Sequence, residues 1–315
     1  MIRGVGLALL TALALLTACS PAVDPSFTGL APETDPKSFT CCGNPERLPA
    51  PIAKIGLDLS PMFSPLVSGS PIRTGYLTEA PEAWAYLTDQ AQPLDILLTS
   101  GKNWIPGQVI TGRFTHSAVY LGTEAQLKAL GIWDDPLIAP HHGEIRAGKI
   151  IIEGVSGGAK LNDAPHIFDT DGALMVRPAL AGRAAKRKAA LRLFARLGVP
   201  FDYYFDVSTC GKLACTEMVA QSMPQIGFVV RTVYDLPVLM PDDIAAQAIR
   251  GENLRVVAYA RGRQSGWSKG GAFEAMEDVA ASWGPVPEGT PEPVLQRTSD
   301  TGMAGMCTPL DGIGS

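Results

Sequence analysis

The sequence predicts an α+β fold with a mostly antiparallel sheet, and three observations carry the prediction. Short runs of apolar and β-branched residues at 94–99, 114–121, 149–155 and 173–177 come first. A long helical pattern at 183–197 and a shorter one at 214–222 follow. Strand-like runs then return at 228–230 and 254–259. Strands, then helices, then strands again is the order of an α+β chain. With 315 residues, 46% of them hydrophobic, the chain can build one sizeable core with decorations. We place that core in a domain spanning residues 51–264. No internal repeat interrupts it.

Each element has a local reason. Apolar content rises from Ile52 to Ser70, a stretch expected to pack on the domain, with its secondary structure left open. Ala80 to Leu87 starts with Pro81 in its first turn and reads as a short helix. Leu94 to Thr99 is a strand, followed by a connection broken by Pro106 and Gly107. From Phe114 to Leu121, alternation puts Phe114, His116, Ala118 and Tyr120 on one strand face and Thr115, Ser117, Val119 and Leu121 on the other. Residues 123–147 look like an insertion able to form a rim or lid, with Trp133 and the pair His141-His142. Lys149 to Val155 and Ala173 to Arg177 are strands. Arg183 to Leu197 is the clearest helix, basic on one side (Arg183, Lys186, Arg187, Lys188, Arg192) and ended by Gly198 and Pro200. Gly211 and Met223-Pro224 bound the short helix that carries Cys215. Pro241-Asp242-Asp243-Ile244 starts another. From Ser265 to Ser315, Gly and Pro dominate, with a possible helix near Ala272–Ser282. The expectation there is a poorly ordered tail.

The amino terminus points to the cell envelope. Residues 1–18 combine Arg3 with an apolar run from Val5 to Leu16, too short to span a bilayer, as in a secretion signal. The run ends in Leu16-Thr17-Ala18-Cys19, which resembles the lipobox of bacterial lipoproteins. That resemblance implies cleavage before Cys19 and acylation of its thiol, giving a membrane partner through a lipid anchor. Ser20, where an aspartate would signal retention, implies outer-membrane sorting, facing the periplasm. The alternative is an ordinary cleaved signal peptide. Residues 19–50, rich in Pro, Ser, Thr and Gly, read as a tether. A formal net charge of −5 gives no reason to expect a nucleic-acid partner.

Five cysteines remain besides Cys19: Cys41, Cys42, Cys210, Cys215 and Cys307. Five is odd, so at least one thiol stays unpaired within the chain, and Cys215 is the candidate. Adjacent cysteines rarely bridge each other, which leaves links from Cys41 or Cys42 to Cys210 or Cys307 open. Cys210 lies five positions before Cys215, which is no familiar zinc spacing, so neither metal nor cofactor is expected.

A lone cysteine is an ordinary core residue. Cys215 stands out because it opens a helix, where unpaired N–H groups and the macrodipole favour a thiolate. A thiolate nucleophile also needs a base and a group to orient the base. His116 sits mid-strand, an unusual place for an imidazole unless that face borders a site. Glu153 interrupts the apolar strand Ile-Ile-Ile-Glu-Gly-Val, where a carboxylate is costly to bury unpaired. If the two strands are neighbours, Glu153 holds one imidazole nitrogen and the other faces Cys215. His141, His142 and His166 read as ordinary surface residues, and Asp202 and Asp206 as turn formers.

These pieces run in one order: Leu94-Asp95-Ile96-Leu97, Phe114 to Gly122, Ile152-Glu153-Gly154-Val155, Val176-Arg177, Phe201 to Phe205, and Leu213-Ala214-Cys215-Thr216-Glu217-Met218-Val219. From Leu94 to Ile244 the chain resembles the circularly permuted NlpC/P60 papain-like cysteine hydrolases, the YaeF/YiiX-like group, related to lecithin–retinol acyltransferase-like proteins. The histidine precedes the cysteine, as in the permuted order. The resemblance implies a permuted papain-like fold whose antiparallel sheet packs on the helix carrying the cysteine. It further implies Cys215 as nucleophile, His116 as general base and Glu153 as orienting residue. Two departures stand out: a long interval between His116 and Glu153, and Cys-Thr in place of the commoner Cys-Ser. The implied activity is hydrolysis of an amide in a cell-wall peptide or related compound. Lipid acyl transfer or deacylation by the same residues, and a catalytically silent binding lipoprotein, are the alternatives.

Overall fold

The computed structural model describes residues 30, 34–46, 49–67, 69–209, 211–284 and 295–298, the side chains of 65–67 excepted. Its centre is a seven-stranded sheet in which every neighbouring pair is antiparallel, ordered β4-β3-β2-β1-β5-β8-β9. The strands are β1 (Ile96–Thr99), β2 (His116–Tyr120), β3 (Ile151–Val155), β4 (Gly158–Asn162), β5 (Gly172–Pro178), β8 (Leu254–Arg263) and β9 (Gly266–Gly270). A separate three-stranded sheet holds β6 (Val229–Val233) between β7 (Leu236–Val238) and β10 (Leu295–Arg297). The helices are α1 (Ala50–Val67), α2 (Pro81–Thr88), α3 (Ile105–Val109), α4 (Glu124–Leu130), α5 (His142–Arg146), α6 (Ala164–Ile167), α7 (Gly182–Phe194), α8 (Cys215–Ser222), α9 (Pro241–Arg250) and α10 (Ala272–Trp283).

Both faces of the large sheet are covered, which explains why its central strands read as unbroken apolar runs. Leu98, Val119, Ile152 and Leu174 meet Met218 and Val219 of α8 and Leu193 and Phe194 of α7. On the other face Leu97, Ala118, Tyr120 and Met175 meet Ala83 and Leu87 of α2 and Phe168. Burying one leucine-sized side chain contributes about 1.5–3 kcal/mol, so two such layers dominate the stability of the domain.

Four expectations need correction. The tail does not begin at Ser265, because β9 extends the sheet and α10 buries Ala275, Met276, Val279 and Trp283. The tether is shorter than 19–50, since Phe39 and Cys42 are buried and Arg231 donates to the Gly43 carbonyl oxygen at 2.9 Å. Residues 123–147 are not a lid: Leu127, Ile132, Trp133, Ile138 and Ile145 pack into the main core. Finally, Cys41 and Cys42 are joined to each other. Sequence spacing carries no information on which thiols meet in space. Cys19, Cys210 and Cys307 lie outside the described residues.

Among smaller differences, 52–70 is largely helical as α1, and β4, β7, β9 and β10 had no strong sequence signal. Gly, Lys and Asn in β4 and the polar, glycine-flanked β9 are poor β formers that pair because neighbouring strands offer them partners.

Candidate active site

Sheet pairing builds the site. Ala118 lies opposite Glu153 in the β2–β3 register. Directly opposed residues share a face, and His116 lies two positions from Ala118, so its imidazole meets Glu153 on the diagonal. The contact is 2.7 Å from Nε2 to Oε2 of Glu153. That bond fixes the ring and leaves Nδ1 for another partner.

The partner is Cys215. Its helix α8 packs against β2 and β3, and Gly154 faces the helix start: a Cβ there would sit at ordinary contact distance, 3.4 Å from the Cys215 Cα. Glu217 closes the helix start by accepting from the Ala214 N–H at 2.9 Å. Cys215 is buried and is the free cysteine among the described residues.

Electrostatics couple the thiol and the ring. Burial alone would raise the Cys215 pKa, but the charge and hydrogen bond of His116, and bonds from the Ser117 backbone and side chain, bring it below the ordinary thiol value. Burial would likewise lower the His116 pKa; the Cys215 charge and hydrogen bonds from Cys215 and Glu153 override it and raise the imidazole to about 10. Glu153 is nearly enclosed, yet its hydrogen bonds to His116 and His166 hold it well below the usual carboxylate range. The two shifts run toward each other: the thiol is drawn down and the imidazole up, beside a carboxylate that holds the ring.

His166, expected to be an ordinary surface residue, is part of this arrangement. Its Nε2 lies 3.0 Å from Oε1 of Glu153, and Asn162 Nδ2 donates to the same oxygen. Both come from β4 and the short turn of helix after it, a strand with too weak a pattern to place them beforehand. His141 faces Glu144, and His142 stacks on Trp133, away from Glu153. Asp202 serves turn chemistry as expected, accepting from the Tyr204 and Asp206 amides.

No protein-family model, curated protein or solved structure matched this chain.

A second unforeseen residue acts behind the histidine. Buried Asp242, at the start of α9, accepts from the Arg113 and Phe114 amides at 2.8 and 2.7 Å and from Trp283 Nε1 at 2.7 Å. It ties the entry to β2 to α10. Burial raises its pKa to about 6, against the lowering effect of those three bonds. Thr115 Oγ1 accepts from the Gly101 amide at 2.9 Å and pins the other side of the same entry. Only long-range contact reveals either role.

Together the side chains provide a thiol of lowered pKa, an imidazole hydrogen-bonded to it and a carboxylate that orients the imidazole. That set is competent for nucleophilic attack on an acyl carbon.

Proposed function

We propose that this protein is an envelope lipoprotein with a permuted papain-like, NlpC/P60-type domain that hydrolyses an amide bond, as in a cell-wall peptide. The observation that carries the reading is the continuous chain Cys215–His116–Glu153, with Glu153 2.7 Å from the imidazole.

In this mechanism the Cys215 thiolate attacks the amide carbonyl carbon, and the carbonyl electrons move onto oxygen. The α8 N-terminus, with the Cys215 N–H, stabilises that oxyanion. As the tetrahedral intermediate collapses, the C–N bond breaks and imidazolium His116 transfers its Nδ1 proton to the departing amine. The acyl group stays on Cys215 as a thioester. Water then attacks the thioester while neutral His116 takes its proton; the thiolate leaves, and the imidazolium is restored. Glu153 stays ionised throughout and holds the ring.

Alkylation of Cys215 by iodoacetamide as a function of pH, mapped by mass spectrometry, tests the reading. The thiol should react rapidly near pH ~6, where an ordinary thiol is protonated. His116→Ala should slow that reaction by about 10²-fold, the lower end of what a positioned base contributes. A Cys215 that reacts only on unfolding, or is unaffected by His116→Ala, would overturn the assignment.

A further inference from the structure

Helix α1 is apolar on two sides. Ala53 is buried against the body, and Ser60 Oγ donates to the Tyr203 carbonyl oxygen at 3.0 Å. On the opposite side Ile52, Ile55, Leu59, Met62 and Phe63 form one stripe at helical spacing, each 38–61% exposed. The only charges in α1 are Lys54 and Asp58, and neither falls within the stripe. The neighbouring α3 packs on α1, and its Val109 is 79% exposed. A surface helix normally turns polar groups to water, so a stripe of this size marks a contact face.

We propose that this stripe lies on the lipid bilayer in which the chain is anchored, a reading that rests on acylation at Cys19. Chain length argues for that occupant. The first described residue packed on the body is Leu30, so 30 − 19 = 11 chain steps separate it from the anchor. Fully extended, 11 steps reach about 40 Å. An anchored body is thereby held at high effective concentration next to the bilayer, where a weakly binding apolar stripe suffices to orient it. Orientation matters for the site because α1 joins its rim. Tyr203, which accepts from Ser60, bonds through its hydroxyl to Ser156 at 2.8 Å, immediately after the strand carrying Glu153. A body resting on α1 holds the turn after the strand of Glu153 next to the membrane surface.

The test uses a chain beginning at Ser20, which carries no acyl group and keeps every described contact, since the first described residue is Leu30. It is centrifuged with phosphatidylethanolamine–phosphatidylglycerol vesicles. We expect cosedimentation, a loss of at least ~10-fold in partitioning for Ile55→Glu with Leu59→Glu, and no loss for Lys54→Gln. The alkylation rate of Cys215 should be unchanged in both variants, which shows that the fold is intact. Absence of vesicle binding, equal binding by the double variant, or a lipid-free dimer that the double variant dissociates would each overturn the proposal. Mass analysis of the amino-terminal peptide from membrane-extracted full-length protein separates the two readings. Acylated Cys19 with no vesicle binding by the Ser20 chain removes the stripe and keeps the anchor. Unmodified Cys19 with stripe-dependent binding removes the anchor and keeps the stripe.

Discussion

Glu217 shows how one residue can serve a helix start at a cost to the whole. It accepts from the Ala214 N–H, while its other oxygen is buried without a hydrogen-bond partner. Burial, with Asp202, Cys215 and Asp206 adding negative charge, raises its pKa to about 9. A neutral acid here spares the neighbouring thiolate a second negative charge. The linkage sign follows from the raised value. Between roughly pH 4.5, where the unfolded glutamate ionises, and about 9, the folded state binds the extra proton, so stability falls as pH rises. Glu217→Gln keeps the bond to Ala214 and abolishes that loss. Its melting temperature should exceed the parent's by several degrees at pH ~8 and match it at pH ~4, a difference that corresponds to ~1 kcal/mol or more. Equal melting temperatures at both pH values would show that Glu217 is ionised in the folded protein. His116 behaves in the same direction. Its folded pKa of about 10 means that its contribution is full below about 6.5 and lost as pH rises through 10.

At the scale of elements, the meeting of α8 with β3 decides whether the thiol reaches the imidazole. Gly154 presents backbone to the helix start, where an added Cβ would lie at ordinary contact distance, 3.4 Å from the Cys215 Cα and N. Alanine therefore fits, and a β-branched residue does not. Gly154→Val should cost about 1–3 kcal/mol through overpacking and slow Cys215 alkylation at pH ~6 at least ~10-fold, with Gly154→Ala near the parent in both. Unchanged alkylation in the valine variant would show that the helix start does not depend on this contact. The same pairing logic explains what the sequence made visible. His116 and Glu153 stood out because a polar side chain in a buried strand needs a partner, and alternation says which face it occupies. His166 and Asn162 did not stand out, because β4 has no apolar alternation and its register with β3 is set only by contact.

For the whole molecule, residues 266–283 are structural. Trp283 donates to Asp242, which holds the two amides that introduce β2, and Met276 and Val279 are fully buried. Deleting three such side chains costs about 2–5 kcal/mol each, against a total stability of 5–15 kcal/mol for an ordinary domain. A chain ending at Ser265 should show no cooperative thermal transition by circular dichroism, whereas one ending at Thr298 should melt like the parent. A cooperative melt of the shorter chain would return residues 266–283 to the status of a tail. Arg231 shows a second long-range tie: buried, paired with Asp243 and bonded to the Gly43 carbonyl oxygen, it fastens the early segment to α9. Removing one partner of a buried pair leaves an uncompensated charge, which is why such a tie resists change.

The sequence by itself determined the features that local chemistry encodes. Alternation and β-branching placed β1, β2, β3, β5 and β8, and glycine and proline bounded α7 and α8. Polar residues at buried positions marked His116 and Glu153, and the start of a helix marked Cys215. Tertiary structure alone decided what depends on partners distant in the chain. It joined Cys41 to Cys42, set His166 against Glu153 and tied Asp242 to the entry of β2. It also drew the tail into the fold, because α10 has somewhere to bury Trp283 only once β8 and α9 are in place. Local propensity is written residue by residue; a buried contact exists only when both of its sides have arrived.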